Sequence, residues 1–150
     1  MTKTYRIPHD GLVVISDGRK ALFLKNKGDE LFVNLQVDRV FQAPPNPPTH
    51  LQGTDRPGRA SMFDQRSAMG QTDWHRLAEQ TFAADIAEAV NAVCAAGAVK
   101  SIVVAAPPRA LAELRKGFSA MARRCVQGEI NKDLTKHPID SIEDHLAGSL

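Results

Sequence analysis

Arginines that could bind an anion are concentrated in the motif TDRPGR at residues 54–59. The Pro-Gly pair at its centre suits the two middle positions of a type II turn, which Arg56 and Arg59 would flank. Two guanidinium groups placed in this way can hold a phosphate or a carboxylate through paired hydrogen bonds. The alternative is that they pair with Asp55 or with acids of the domain body and so pin the segment. Asp55, Arg56 and Arg59 are therefore predicted binding residues, with both interpretations open.

A further candidate binding residue is Arg109, which follows the apolar run SIVVAA at residues 101–106 and a Pro-Pro pair. The run predicts a central strand, and open α/β sheets tend to bind ligands at the carboxyl ends of such strands. No glycine-rich phosphate loop precedes Arg109, which argues against a nucleotide site. Arg109 and the basic residues after it could equally form an ordinary solvated surface.

Neither metal ligation nor cysteine chemistry is indicated. The five histidines occur without HxxxH, HExxH or a pairing with cysteine. Cys94 and Cys125 form no CxxC motif and are interpreted as buried free thiols, which suits a reducing cytoplasm. Asp17 follows the first apolar run but lacks partner carboxylates, and a hairpin turn explains it fully. We predict no metal and no cofactor.

The length, the net charge and the apolar runs of the chain limit the classes of protein to which it can belong. A chain of 150 residues fits one domain, and its formal charge of +2 is too small to indicate nucleic-acid or membrane binding by itself. No apolar run approaches the roughly 18 residues that a membrane span requires, and the N-terminus lacks the apolar region of a secretory signal. We expect a cytoplasmic protein without a membrane partner.

The first part of the chain predicts a three-stranded antiparallel meander. Apolar runs at residues 12–16 and 20–25 are separated by Asp-Gly, a hairpin signal whose central positions need positive φ. Residues 31–41 alternate between apolar and polar, which predicts a third strand with one apolar face. Residues 43–72 then lack periodicity and are predicted to form a long loop, and loops of that length are usually functional or disordered.

The second part predicts helices and two more strands. An apolar stripe at spacings of three and four begins at Trp74, which predicts a core-facing helix of about 24 residues with Thr72 or Asp73 as its N-cap and Gly97 at its end. After the strand at 101–106, a helical stripe broken at Gly117 predicts two short helices or a kink. Residues 125–134 predict the last strand, and residues 141–146 a terminal helical turn capped by Ser141 or Asp140.

These elements predict a single α/β domain with a mixed sheet of about five strands. The sheet combines the antiparallel meander with a βαβ crossover, and helices cover both of its faces. An uncovered edge strand of the meander would make a homodimer plausible.

Four segments resemble the bacterial host-attachment protein family, which is related to the middle domain of archaeo-eukaryotic peptide-chain release factors. They are VVISDGRKALFLKN at 13–26, TDRPGR at 54–59, AAGAVKSIVVAAPPRALAELRK at 95–116 and GEINKDLTKHP at 128–138. Together they span nearly the full length in the expected order. The resemblance implies a release-factor middle-domain-like fold.

The resemblance also implies a candidate catalytic pair. In the related release-factor domain, a Gly-Gly-Gln in the loop before the long helix promotes hydrolysis of peptidyl-tRNA. Gly70 and Gln71 match the last two residues of that motif, whereas Met69 stands in place of the first glycine. That glycine permits backbone angles and a close approach that a side chain resists. The alternative interpretation is an ordinary approach to the helix N-cap.

The preferred hypothesis is therefore a non-enzymatic binding module of the host-attachment family. It would contact ribosome, RNA or a protein partner through the loop at 43–72. Peptidyl-tRNA hydrolysis through Gly70 and Gln71 is the first alternative, and adhesion to host cells is the second. Adhesion would require an export route that the sequence does not display.

Overall fold

The computed structural model describes residues 4–44 and 57–147, with the backbone alone for residues 57–73. These parts of the chain form five strands and four helices. The strands are β1 (Leu12–Ser16), β2 (Lys20–Asn26), β3 (Leu35–Gln42), β4 (Ile102–Ala105) and β5 (Val126–Ile130). The helices are α1 (Pro57–Ala95), α2 (Pro108–Gly117), α3 (Ala120–Cys125) and α4 (Ile139–Leu146).

The strands form one mixed sheet in the order β3-β2-β1-β4-β5. β1, β2 and β3 pair in antiparallel fashion, whereas β4 is parallel to both β1 and β5. All residues of β1 and β4 are buried, because both strands lie inside the sheet and are covered on both faces. The predicted α/β fold, with a meander joined to a crossover, is confirmed.

Two apolar cores lie on opposite faces of the sheet. One contains buried side chains of α1, α2 and α3 packed on alternate residues of the strands, among them Val14, Ile86, Val90, Val104 and Leu114. The other contains the N-terminal segment and α4 packed on the remaining strand residues, among them Ile7, Val13, Val103, Ile142 and Leu146. The period of two along β1 thus divides its side chains between both cores. Helices on both faces are confirmed.

α1 is longer than the sequence pattern indicates. It has 39 residues and begins at Pro57, so neither Thr72 nor Asp73 is its N-cap, and the prediction of loop structure across residues 57–72 is wrong. Proline is well tolerated in the first turn of a helix, and the segment is rich in good helix formers such as alanine, arginine and glutamine. The pattern missed this part of α1 because it has no apolar stripe. The rest of the predicted loop, residues 45–56, lies outside the described residues.

The packed part of α1 also begins later than predicted. Trp74 and Leu77 are 43% and 51% exposed, and Phe82 is the first residue of the stripe that is buried. The interpretation of Trp74 as a core anchor is therefore wrong. Residues 57–81 span about 37 Å at 1.5 Å per residue. The described side chains of this half, from Trp74 to Thr81, are exposed or half-buried.

Two predicted helix ends are confirmed. α1 ends at Ala95 and Gly97 follows with φ of 76°, a left-handed conformation that favours glycine. α2 ends at Gly117 and α3 begins at Ala120, so the helical stripe is broken where expected. A Cβ on Gly117 would lie 2.6 Å from the Cβ of Ala87 on α1. Close approach of the helices therefore requires a glycine at this position.

β3 departs from its predicted alternation. It begins at Leu35, and of the four apolar positions expected on one face only Leu35 is buried, while Leu31 and Val37 are exposed. The pairing with β2 shifts at Asp38, where β3 carries one extra residue, and such a bulge disturbs the period of two. β3 is also an edge strand, so part of its apolar surface has no covering layer.

The side chain of Asn26 organises the region before β3. Asn26 is completely buried at the end of β2, and both ends of its amide form hydrogen bonds with backbone groups of the N-terminal segment and the following turn. The sequence indicates a turn at residues 26–29, and the structure adds this buried polar centre to it.

Three local predictions need correction. The β1–β2 turn contains three residues and only Gly18 has positive φ, since the side chain of Asp17 supports the turn instead. α4 begins at Ile139 after Pro138, and its N-terminus has no side-chain cap from Ser141 or Asp140. β5 is shorter than expected, from Val126 to Ile130.

In the parts of the chain that the structure describes, no helix combines the length and the apolar character of a membrane span.

Candidate functional site

A pocket of about 430 Å³ lies at the edge of the sheet where β1 and β4 end. Its lining comes from the turn after β1, from α1, and from the start of α2. The lining residues are Asp17, Gly18, Arg76, Glu79, Gln80, Pro107, Arg109, Ala110 and Glu113. Parallel strands bring the loops after their carboxyl ends together, which is where ligands of open α/β sheets usually bind.

Arg109 lies in this pocket, at the edge that the sequence indicated. β4 ends at Ala105, and α2 begins at Pro108, with the missing N–H of proline in the first turn. The side chain of Arg109 is exposed, and among the described residues it has no ion pair. The guanidinium therefore remains available for an anion, and its binding role stays a prediction.

Arg76 is a second arginine of the pocket that sequence reasoning missed. It lies on α1 just before the packed part of the helix and is exposed. Among the described side chains, those of residues 4–44 and 74–147, none forms an ion pair with Arg76. No sequence pattern indicates this site, because Arg76 and Arg109 are 33 positions apart and come to one pocket only through the packing of α1 against α2.

Two of the three carboxylates in the pocket already have partners. Oδ1 of Asp17 accepts hydrogen bonds from the backbone N–H groups of Arg19 and Lys20 at 2.8 and 2.7 Å. The hydroxyl of Thr135, in the segment after β5, lies 3.3 Å from Oδ2 of Asp17 and shares its one proton with Oδ1 of Asp133 at 2.6 Å. Glu113 forms an ion pair with Lys116 at 3.3 Å. Asp17 thus has the structural role that the hairpin interpretation assigned to it.

The third carboxylate belongs to Glu79, which lies on α1 beside Gly18. A Cβ on Gly18 would contact the Glu79 side chain at 3.6 Å, and φ of Gly18 is 106°. The backbone angle therefore accounts for glycine at this turn, since a Cβ at 3.6 Å would make only an ordinary contact. The lining thus carries the carboxylates of Asp17, Glu79 and Glu113 beside two arginines, and Arg76 and Arg109 are the groups through which it could engage an anion.

The basic residues at the far end of α2 do not join this pocket. The guanidinium of Arg115 forms a bidentate ion pair with the carboxylate of Glu129 on β5, and the hydrogen bond and charge of Glu129 raise the pKa of Arg115. Arg123 donates a hydrogen bond to the carbonyl oxygen of Arg115. The interpretation of these residues as ordinary surface is consistent with that pairing.

The other predicted site residues are only partly described. Asp55 and Arg56 lie outside the described residues. Arg59, Gly70 and Gln71 lie on the helical backbone of α1, and nothing is described of their side chains. The type II turn at Pro57-Gly58 and the loop position of Gly70-Gln71 are therefore wrong, because helical φ and ψ continue from Pro57 onward. Their binding and catalytic roles stay predictions.

The side chains described for residues 4–44 and 74–147 include no group of three or more histidine, cysteine, aspartate or glutamate residues that could hold a metal ion.

The comparison with protein families gives one match. The model of bacterial archaeo-eukaryotic release factor family 12 matches residues 10–146, from two residues before β1 to the last residue of α4. No curated protein matches the chain. The match confirms the relation to release factors that the sequence motifs indicate. Since it covers nearly the whole chain, the protein belongs to bacterial archaeo-eukaryotic release factor family 12.

Proposed function

We propose that this protein is a non-enzymatic binding module that contacts the ribosome in the cytoplasm through phosphate groups of its RNA. The observation that carries the proposal is the pocket at the carboxyl edge of β1 and β4, where Arg76 and Arg109 are both exposed. Membership of a release-factor family supports the ribosome as the partner.

The chemistry of the pocket supports phosphate as the group that is bound. Guanidinium groups present several N–H donors in a plane and bind phosphate oxygens in pairs. Arg76 and Arg109 come from two helices that pack on each other, and both line the same pocket. A polymer of phosphates can engage both groups at once, and the predicted Arg56 and Arg59 would extend the contact.

The first test is co-sedimentation of the full chain with ribosomes at several salt concentrations. The double variant Arg76→Ala/Arg109→Ala should weaken binding about tenfold at about 100 mM salt. Each phosphate contact that is lost reduces the number of counterions released on binding. The slope of log K against log salt should fall by about 1.5 for two contacts. Arg56→Ala/Arg59→Ala should act in the same direction.

The matched control is Lys100→Ala, which removes one exposed positive charge at the opposite edge of the sheet, before β4. It should leave both affinity and slope nearly unchanged. Equal binding by the wild type and by Arg76→Ala/Arg109→Ala would refute the proposed contact. Binding that is insensitive to salt would instead indicate a protein partner.

Peptidyl-tRNA hydrolysis is the second candidate, and the family relation favours it. The test is release of peptide from ribosomes that carry peptidyl-tRNA. Under the preferred function, the wild type releases no more peptide than ribosomes alone. Release that is lost in Gln71→Ala and kept in Gln42→Ala, a glutamine on β3, would establish the enzyme in place of the binding module.

A further inference from the structure

The two cysteines of the chain lie together in the larger core. Cys94 is buried near the end of α1, and Cys125 is the last residue of α3 and is half-buried against the same cluster. Both are free thiols. Neither lines the pocket of Arg76 and Arg109. The proposed function therefore leaves this pair of nucleophilic side chains unexplained.

Contacts around the turn after α1 hold the two thiols near each other. The Cys125 thiol donates a weak hydrogen bond to the carbonyl oxygen of Val99 at 3.8 Å. Val99 follows the turn in which the Gly97 N–H donates to the Cys94 carbonyl oxygen at 3.0 Å. Cys125 is thus anchored at the end of α1 that carries Cys94, and both side chains belong to the same core cluster.

We propose that Cys94 and Cys125 are a modification site that forms a reversible disulfide when the protein meets a small-molecule disulfide. The half-buried Cys125 reacts first, because it is the less buried residue of the two. Cys94 then completes the bond inside the core. The proposal does not depend on ribosome binding.

The reaction consists of two exchanges that balance. The Cys125 thiolate attacks one sulfur of the reagent, a mixed disulfide forms, and the reagent's S–S bond breaks to release one thiolate. The Cys94 thiolate then attacks the Cys125 sulfur and displaces the second reagent thiolate. The two protons lost by the cysteines protonate the two released thiolates, and the reagent is reduced by two electrons.

The surroundings of Cys94 determine how fast the disulfide forms and whether the disulfide or the reduced pair is favoured at equilibrium. Burial, followed by the hydrogen bond and charge of Cys125, raises the pKa of Cys94 to about 11. At neutral pH little thiolate is present, so the closing step is slow and accelerates about tenfold per pH unit below that pKa. The reduced pair gains no stabilisation from a thiolate, which favours the disulfide at equilibrium.

Closure would cross-link the end of α1 to the junction of α3 and β5. The bond encloses about 30 residues, which include β4 and α2, and constrains the unfolded chain. Tm should rise by roughly 5–10 °C on oxidation and return to its starting value after reduction with dithiothreitol.

The test is incubation of the full chain with oxidised glutathione, followed by intact mass and peptide mapping. The wild type should lose two hydrogens per chain, form no disulfide between chains and yield a peptide that joins Cys94 to Cys125. Cys94→Ala should instead keep one glutathione on Cys125, and Cys125→Ser should stay unmodified while folded. Should Cys94→Ala fail to fold, the wild-type map and Cys125→Ser decide the question.

Three results would overturn the proposal. They are a stable glutathione adduct on wild-type Cys125, a disulfide between two chains, or free thiols in the folded chain under conditions in which the guanidinium-unfolded chain reacts.

Discussion

Replacement of Asn26 by alanine is expected to lower the free energy of unfolding by about 4 kcal/mol. Asn26 is fully buried and satisfies five backbone groups. Its Nδ2 donates to the carbonyl oxygens of Ile7, Pro8 and Asp29 at 2.8, 3.2 and 3.1 Å, and its Oδ1 accepts from the N–H groups of Gly28 and Asn34, both at 2.9 Å. Each buried group left without a partner costs about 1–3 kcal/mol, and solvent entry offsets part of the sum.

The measurement is urea unfolding followed by circular dichroism. Asn34→Ala is the matched control, because it removes the same amide from an exposed position whose backbone N–H alone contacts Asn26. It should cost less than about 1 kcal/mol. Similar losses in both variants would show that the buried network around Asn26 does not carry the stability assigned to it.

Replacement of Gly117 by alanine is expected to destabilise the protein by about 2–3 kcal/mol. In an ordinary helix the change from glycine to alanine is favourable by up to about 1 kcal/mol. A loss of stability at Gly117 would therefore itself indicate the close contact with α1. The added Cβ would stand 2.6 Å from the Cβ of Ala87, and the helices must separate to admit it. Separation would also strain the bonds of Asn91, which donates to the Gly117 carbonyl oxygen and accepts from the Ser119 N–H.

A double-mutant cycle checks this cause. Ala87→Gly removes the methyl group that the new Cβ would meet, so Ala87→Gly/Gly117→Ala should be more stable than the sum of the single changes by about 1–2 kcal/mol. Additive losses would contradict a direct contact between the two positions.

The described fold could be predicted where burial leaves a pattern in the sequence. Burial on both faces leaves the continuous apolar runs of β1 and β4, and burial of one face leaves the stripe of α1 after Phe82. The break at Gly117 marks the close approach of two helices. The first half of α1 could not be predicted by the same means, since helix propensity without a buried face leaves no period. The bulge of β3 at Asp38 likewise depends on its partner strand.

The candidate site was predictable only in its local part. Arg109 follows a buried strand directly, so its place at the carboxyl edge is set by adjacent residues. Arg76 reaches the same pocket through the angle at which α1 crosses the sheet, which is a property of the whole core. The partners of Asp17 are divided in the same way: the turn residues are local, whereas Thr135 comes from 118 positions away.

The half-exposed indole of Trp74 has a practical consequence. It is the only tryptophan of the chain, and it lies on α1 ahead of the packed segment. Its fluorescence therefore senses the water around α1 and depends little on the state of the core. A molecule that covers this stretch should shift the emission to shorter wavelengths, so the chain carries its own label-free optical reporter of complex formation.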